Sequence, residues 1–259
     1  MDSVISALRP IRFRGKYRLM KHFAPRDGIR PACIFGYRMN LDLADWIQRN
    51  IYLGSYEQQQ TAKLLSHLRS RMTFVDVGAN VGYYTALASS IVGTGRVISY
   101  EPNPDTFHHL DEWVRDNRAK NITLVNAALG STEGMLTTHF AEGENHTASL
   151  VVALAPSDTR KKTVVTVRTL DTETERLSIQ HIDVMKIDVD GFESEVLKGA
   201  SRLLREGRIG AILCEFSEDW LDEVGSSSRE LAAFLTARGF IQRGTYGPRS
   251  LNDRWFVRG

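Results

Sequence analysis

From Thr73 onward the chain alternates short apolar runs with helical stretches, and that rhythm limits its folds more than any other feature. Phe74–Val77, Val97–Tyr100, Ile122–Val125, Val184–Ile187 and Ala211–Glu215 read as strands. Tyr83–Ile91, Asp105–Asn117, Phe192–Arg205 and Ser228–Arg238 read as helices. Such alternation predicts an α/β fold with a mostly parallel sheet. Right-handed crossovers then bring the strand C-termini to one edge, where ligands of α/β folds bind. The interval Met135–Val167 breaks the rhythm, with two β-like stretches flanking a polar loop from Glu142 to Ser149. Phe240–Arg243 and Arg254–Val257 follow Gly239 as a terminal hairpin that closes the sheet. Upstream, Ile34–Leu43 alternates around Gly36 like a hairpin, and Glu57–Arg69 reads as a helix carrying Ala62, Leu64, Leu65 and Leu68. The expected division is an N-terminal cap over residues 1–70 and one domain over 71–259, with a β-insertion near 135–167.

Composition bounds the function classes. The 259 residues are 42% hydrophobic, which excludes disorder and leaves ample chain for a core. With 33 basic against 31 acidic residues there is no global field for nucleic acid, and no such partner is expected. Cys33 and Cys214 are far apart and form no CxxC pair, which fits a reducing, cytoplasmic setting. No apolar run approaches the roughly 20 residues of a membrane span. The first thirty residues are locally basic: Arg9, Arg12, Arg14, Lys16, Arg18, Lys21, Arg26 and Arg30 face only Asp2 and Asp27. They lack the apolar core of a secretory signal and read either as a solvated helix or as an arm for a membrane surface or polyanion. Oligomeric state is not legible here.

The first chemical signal is Phe74-Val-Asp-Val-Gly-Ala-Asn-Val-Gly82, a strand running into a glycine turn and a helix. Gly78 and Gly82 let a ligand approach the backbone, and the helix start offers unpaired N–H groups. Glu101 ends the next strand, where a carboxylate can accept both hydroxyls of a ribose, and Asn103 can line the same adenosine. A dinucleotide needs G-x-G-x-x-G against its pyrophosphate, but Asn80 replaces the second glycine and Asp76 adds a repelling charge. S-adenosylmethionine has no phosphate and carries a sulfonium and an ammonium, so Asp76 favours it over NAD. Asn126 and Ala127 would then sit beside adenine, or form a plain loop.

The second signal is the charged block Met185-Lys-Ile-Asp-Val-Asp-Gly-Phe-Glu-Ser-Glu195. Asp188 falls at the tip of a central strand, within reach of a transferring methyl, whereas Glu195 reads as solvated. Glu215 ends the neighbouring strand, so the two carboxylates are expected about 5–10 Å apart. They can share a divalent cation such as Mg²⁺, act as a base with its partner, or serve as helix N-caps.

Taken in order, VDVGANVGYYTALAS, YEPNPDTFHHL, NAALGS, TLD, MKIDVDGFESEVLKGA and ILCEF resemble the FkbM-type methyltransferases over roughly Tyr52 to Phe240. The resemblance implies a class I, Rossmann-like fold with a mostly parallel seven-stranded sheet and an antiparallel C-terminal strand. It implies S-adenosylmethionine-dependent O-methylation of a hydroxyl on a sugar, glycan or natural product. By position, Asp76, Gly78, Asn80 and Gly82 would hold the methionine part and Glu101 the ribose, with Asn103 and Ala128 near the nucleoside. Asp188, Gly191 and Glu193 match the family's KIDVEGFE block, with Asp190 replacing its usual glutamate. The loop Asn145–Leu150 would lie near the acceptor.

A sugar hydroxyl must lose its proton as the new bond forms, which calls for a base or a Lewis acid. Asp188 leads, with Glu215 as partner; His139 or His146 in the insertion is the rival base. Tyr56 and Glu57 are placed at the border of the site, and His108 and His109 on the surface. Two other classes stay open: a nicotinamide oxidoreductase using Glu101, and a non-catalytic membrane-surface or adaptor protein using the basic N-terminus.

Overall fold

A computed structural model describes residues 25–140, 148–149, 161–223, 225–244 and 253–259. The chain opens with a hairpin of β1 (Ile29–Ile34) and β2 (Tyr37–Asp42), turned by Phe35 and Gly36, both at positive φ. Two helices follow, α1 (Trp46–Leu53) and α2 (Gln58–His67). Asp45 caps α1 by accepting from the Gln48 amide at 2.7 Å, and Gly54 ends it in the left-handed region. The expected alternation then runs β3 (Thr73–Val77), α3 (Tyr83–Val92), β4 (Arg96–Tyr100), α4 (Pro104–Asp116) and β5 (Ile122–Val125).

The insertion consists of β6 (Ala128–Leu129), β7 (Gly134–Phe140), β8 (Ala148–Ser149) and β9 (Lys161–Arg168). These form a separate sheet in the order β6-β9-β7-β8. Beyond it lie α5 (Leu170–Arg176), β10 (Ile182–Ile187), α6 (Glu193–Lys198), α7 (Ser201–Glu206) and β11 (Ile209–Cys214). The last described elements are α8 (Glu218–Glu223), α9 (Ser228–Thr236), β12 (Phe240–Arg243) and β13 (Arg254–Arg258).

The main sheet has the order β12-β13-β11-β10-β3-β4-β5, with β13 antiparallel to both of its neighbours. This is the class I, Rossmann-like sheet that the resemblance implies. Side chains alternate across it. Phe74 and Val184 pack with Leu64 and Leu87 of α2 and α3, while Val75 and Met185 pack with Leu197 and Leu203 of α6 and α7. The N-terminal hairpin and α1 join a further cluster with Ala79, Val81, Leu110 and Trp113, so they seat directly on the glycine turn and α4. No helix of the described residues is long and apolar enough to cross a membrane.

Three expectations change. The helix over Phe192–Arg205 is two helices, because the chain turns where Gly199 meets Gly130 too closely for a side chain. Asp171 of the TLD motif then caps α7 from outside, accepting from the amides of Arg202 at 2.8 Å and Leu203 at 3.0 Å. Glu215 lies just beyond β11 rather than within the strand, and its amide donates to Ile187 O at 2.9 Å. Helices α1, α5 and α8 add to the expected elements; at six to eight residues each they carry too few turns to show a period in the sequence.

Candidate functional site

The register of the central strands sets the site. Val77 lies opposite Tyr100 and Ile187, and Ile187 opposite Cys214, so Gly78, Glu101, Asp188 and Glu215 fringe one sheet edge. The glycine turn is held tightly there. Gly78 has φ +80°, and a β-carbon on it would sit 1.9 Å from Asp188 O. The amides of Gly78 and Ala79 both donate to Tyr100 O at 3.0 Å. Asn80 takes a left-handed φ of 50°, and its amide donates to Glu101 Oε2 at 2.8 Å. At Gly82 a β-carbon would strike Leu110 and Trp113, and Trp113 Nε1 donates to Val81 O.

Glu101 is buried and accepts from Asn80 on one oxygen and from the Asn103 amide on the other, at 2.9 Å. Burial pushes its carboxyl up to about 7 against the pull of those two amides. Each oxygen retains a second lone pair for a ligand hydroxyl. Asn126 donates to Glu101 O and Pro102 O, bracing the strand tip, while Ala127 and Ala128 are buried in the core beside it. Asp76 is fully buried: Oδ2 accepts from Thr85 Oγ1 at 2.7 Å, and Oδ1 has no partner among the described residues. It lies opposite Lys186 in the register and outside the lining of the cavity, so its charge acts through Lys186.

A cavity of about 290 Å³ opens beside the glycine turn. Tyr56, Glu57, Lys186, Asp188, Asp190 and Glu215 supply its polar wall, and Trp46, Ile47, Ile51 and Trp220 an apolar one. Lys186 is 3% exposed and donates to Asp188 Oδ2 at 2.7 Å, with its ammonium 4.7 Å from the centre of the Tyr84 ring. Tyr84 in turn donates to Glu57, which holds φ 32° at the start of α2. Burial would lift Asp188, but the Lys186 ammonium overrides it and holds the carboxyl below its ordinary value. Glu215 is pushed up to about 11 by burial and by Asp188 and Asp190, and it is hydrogen-bonded to Asp188. Glu215 therefore carries a proton and donates it to the ionised Asp188. The two carboxyl groups meet directly, closer than strand spacing alone suggested.

Asp188, Asp190 and Glu215 place carboxylate oxygens within 4.8 Å of one another, the geometry considered for Mg²⁺. The Lys186 ammonium is bonded to Asp188 Oδ2 and so already supplies positive charge to this cluster.

Of the other residues singled out, Tyr56 and Glu57 do border the cavity. His108 and His109 are exposed and paired with Glu112. Glu195 is not simply solvated, since it accepts from Ser131 and from Lys198. His146 and most of Asn145–Leu150 lie outside the described residues; His139 is on β7, opposite Lys162. Lys186 enters the site without a motif of its own, and the two-residue period of a strand is what puts it on the Asp188 face. Asp253, which faces Asp188 and Glu57 and is hydrogen-bonded to Gln60, has no local sequence signal at all.

Burial and mutual repulsion also raise Asp190 to about 8, and Glu193 and Asp253 to about 7. A carboxyl raised on folding binds its proton more tightly in the native state, so stability present at low pH is lost as pH rises through the native value. Between pH 6 and 8 these groups and Glu101 lose their protons in the native state, while Asp188 is ionised and Lys186 protonated throughout. The thermal midpoint of the ligand-free protein is expected to fall by about 5 °C from pH 6 to pH 8. A higher midpoint at pH 8 would contradict this charge assignment.

Residues 76–241 match the family described as "Methyltransferase FkbM domain". A hexuronic acid methyltransferase, AglP of Haloferax volcanii, is 28% identical over 152 residues, which is 58% of this chain and 58% of that protein. Among solved structures, a precorrin-6y C5,15-methyltransferase from Geobacter metallireducens matches at 19% identity and TM-score 0.43, over 77% of this chain and 86% of that one. Fibrillarin of Aeropyrum pernix, bound to S-adenosylmethionine, matches at 16% identity and TM-score 0.47, over 90% and 84%. The family match spans more than half of the chain and includes both the glycine turn and the acid-lined strand tips, and the chain belongs to the FkbM methyltransferase family.

Proposed function

We propose that the protein is an S-adenosylmethionine-dependent O-methyltransferase acting on a hydroxyl of a sugar, glycan or related small molecule. The observation that carries this reading is the pairing, along one sheet edge, of a phosphate-unfriendly glycine turn with the ionised Asp188 at its far side. Bound S-adenosylmethionine supplies a methyl group on a good leaving group, so alignment provides much of the rate. The Ala79–Gly82 turn and Asn80 would hold the methionine part, and Glu101 and Asn103 the nucleoside. The ionised Asp188 suits a sulfonium and an ammonium and opposes a pyrophosphate.

Asp188 would orient the acceptor hydroxyl and take its proton. The hydroxyl becomes strongly acidic as the new bond forms, so a carboxylate held at low pKa still serves as base. Glu215 keeps Asp188 in position through its donated hydrogen bond, and Lys186 offsets the charge behind it. Residues 1–70 would act as a cap, because α1 and the Tyr56-Glu57 segment wall the cavity. The basic segment before residue 25 lies outside the described residues; a membrane-surface contact remains assigned to it as a proposal.

Calorimetric titration tests the reading. S-adenosylhomocysteine is expected to bind and NAD not to, with methyl transfer unchanged in EDTA. Tight NAD binding would sink the cofactor assignment, and loss of rate in EDTA restored by Mg²⁺ would overturn the metal-free description.

A further inference from the structure

On the cofactor assignment made above, an ammonium on the methionine part must find an acceptor beside the glycine turn. Asp76, the acid nearest the turn in sequence, does not supply one: its side chain is fully buried, bonded to Thr85 and outside the cavity lining. Four carboxyl groups line the cavity among the described residues. Glu215 carries its proton, Asp190 is raised to about 8, and Asp188 is bonded to the Lys186 ammonium at 2.7 Å. Glu57 is the fourth, and it comes from the N-terminal cap.

Glu57 is arranged as an acceptor. Tyr84 and Tyr56 both donate their hydroxyls to it. Tyr83 stands edge-on to both of those rings, with centres 5.1 Å apart in each pair, so the two hydroxyls are fixed in place. These donors are neutral, and a carboxylate has about four acceptor positions, so lone pairs remain for a cationic ligand. The backbone points the same way. Glu57 holds φ 32°, a left-handed conformation that costs a long side chain energy. A departure of that kind marks a side chain required at one spot, and this one lines the same cavity as Ala79 and Asn80 of the turn.

We propose that the Glu57 carboxylate binds the amino group on the methionine part of S-adenosylmethionine. The N-terminal cap then supplies a recognition group to the cofactor site as well as a wall. A charge-assisted contact of this type changes affinity by about tenfold to a hundredfold.

Calorimetric titration of the full chain with S-adenosylhomocysteine, and with its analogue lacking only the amino group, separates this role from a structural one. The wild type is expected to bind S-adenosylhomocysteine at least tenfold more tightly than the analogue. Glu57→Gln keeps the shape and removes the charge. It should lose at least tenfold in S-adenosylhomocysteine affinity while the analogue binds within about twofold of wild type, so the preference disappears. Glu57→Asp withdraws the carboxylate by one methylene at a backbone position where Asp is better tolerated, and should cut the preference at least threefold. That variant decides the matter if the Gln protein does not fold. A preference that persists undiminished in a folded variant overturns the proposal, as do equal losses for the two ligands or a wild type that binds both alike. A wild type that binds neither ligand refutes the cofactor assignment itself, and the proposal falls with it.

Discussion

Replacing Asp188 by Asn is expected to lower the rate of methyl transfer by about 10²- to 10⁴-fold, the span that a positioned proton acceptor contributes. The substitution keeps the side-chain volume at the tip of β10 and removes only the charge and the capacity to take a proton. Asp188 sits where Lys186 and Glu215 converge, one donating at 2.7 Å and the other sharing its proton. In the variant both donors persist but face a neutral amide, so the hydroxyl loses its acceptor and its orienting partner together. The glycine turn contacts Asp188 through its backbone oxygen, which the substitution leaves in place. S-adenosylhomocysteine should therefore bind within several-fold of the wild type. Single-turnover transfer from labelled S-adenosylmethionine, measured beside calorimetric affinity, separates the two effects. Near-normal turnover would remove Asp188 from the chemistry.

The largest effect on stability should come from Lys186→Met. Lys186 is buried in the middle of the sheet, and its ammonium offsets Asp76, Asp188 and Glu57. Removing one member of a buried charge set leaves the others uncompensated, at a cost of about 3–5 kcal/mol. For a chain of this size that lowers the thermal midpoint by about 10 °C. The loss should shrink as pH is lowered, because protonation of the stranded carboxyls relieves it. Adding Asp76→Asn to Lys186→Met should recover part of the midpoint for the same reason. A Lys186→Met protein that melts within about 2 °C of wild type at pH 8 would show that this lysine does not balance the cluster.

Much of the scaffold was legible from local pattern. The seven strands of the main sheet read within one or two residues, since each is a short apolar run bounded by a turn. The glycine turn was readable because Gly78 and Gly82 take positive φ at places with no room for a side chain. The long helix after Asp188 was misread, because what breaks it is the approach of Gly130 from a distant strand end. The same limit hid the cavity's apolar wall: α1 is too short to announce itself, and only the packing of the hairpin on α4 brings Trp46 over the strand tips.

By itself, the sequence determined an α/β chain with a mostly parallel sheet, a non-dinucleotide glycine turn and carboxylates at the strand ends. Those features are written in residue spacing, which backbone geometry converts directly into strands, turns and edges. Tertiary structure alone decided how the charges are shared. It paired Asp188 with Glu215, buried Lys186 behind them, brought Asp253 in from the far end of the chain, and kept Asp76 out of the cavity. Protonation depends on burial and on neighbours remote in sequence, so the charge state of a site is settled only once the chain has folded around it.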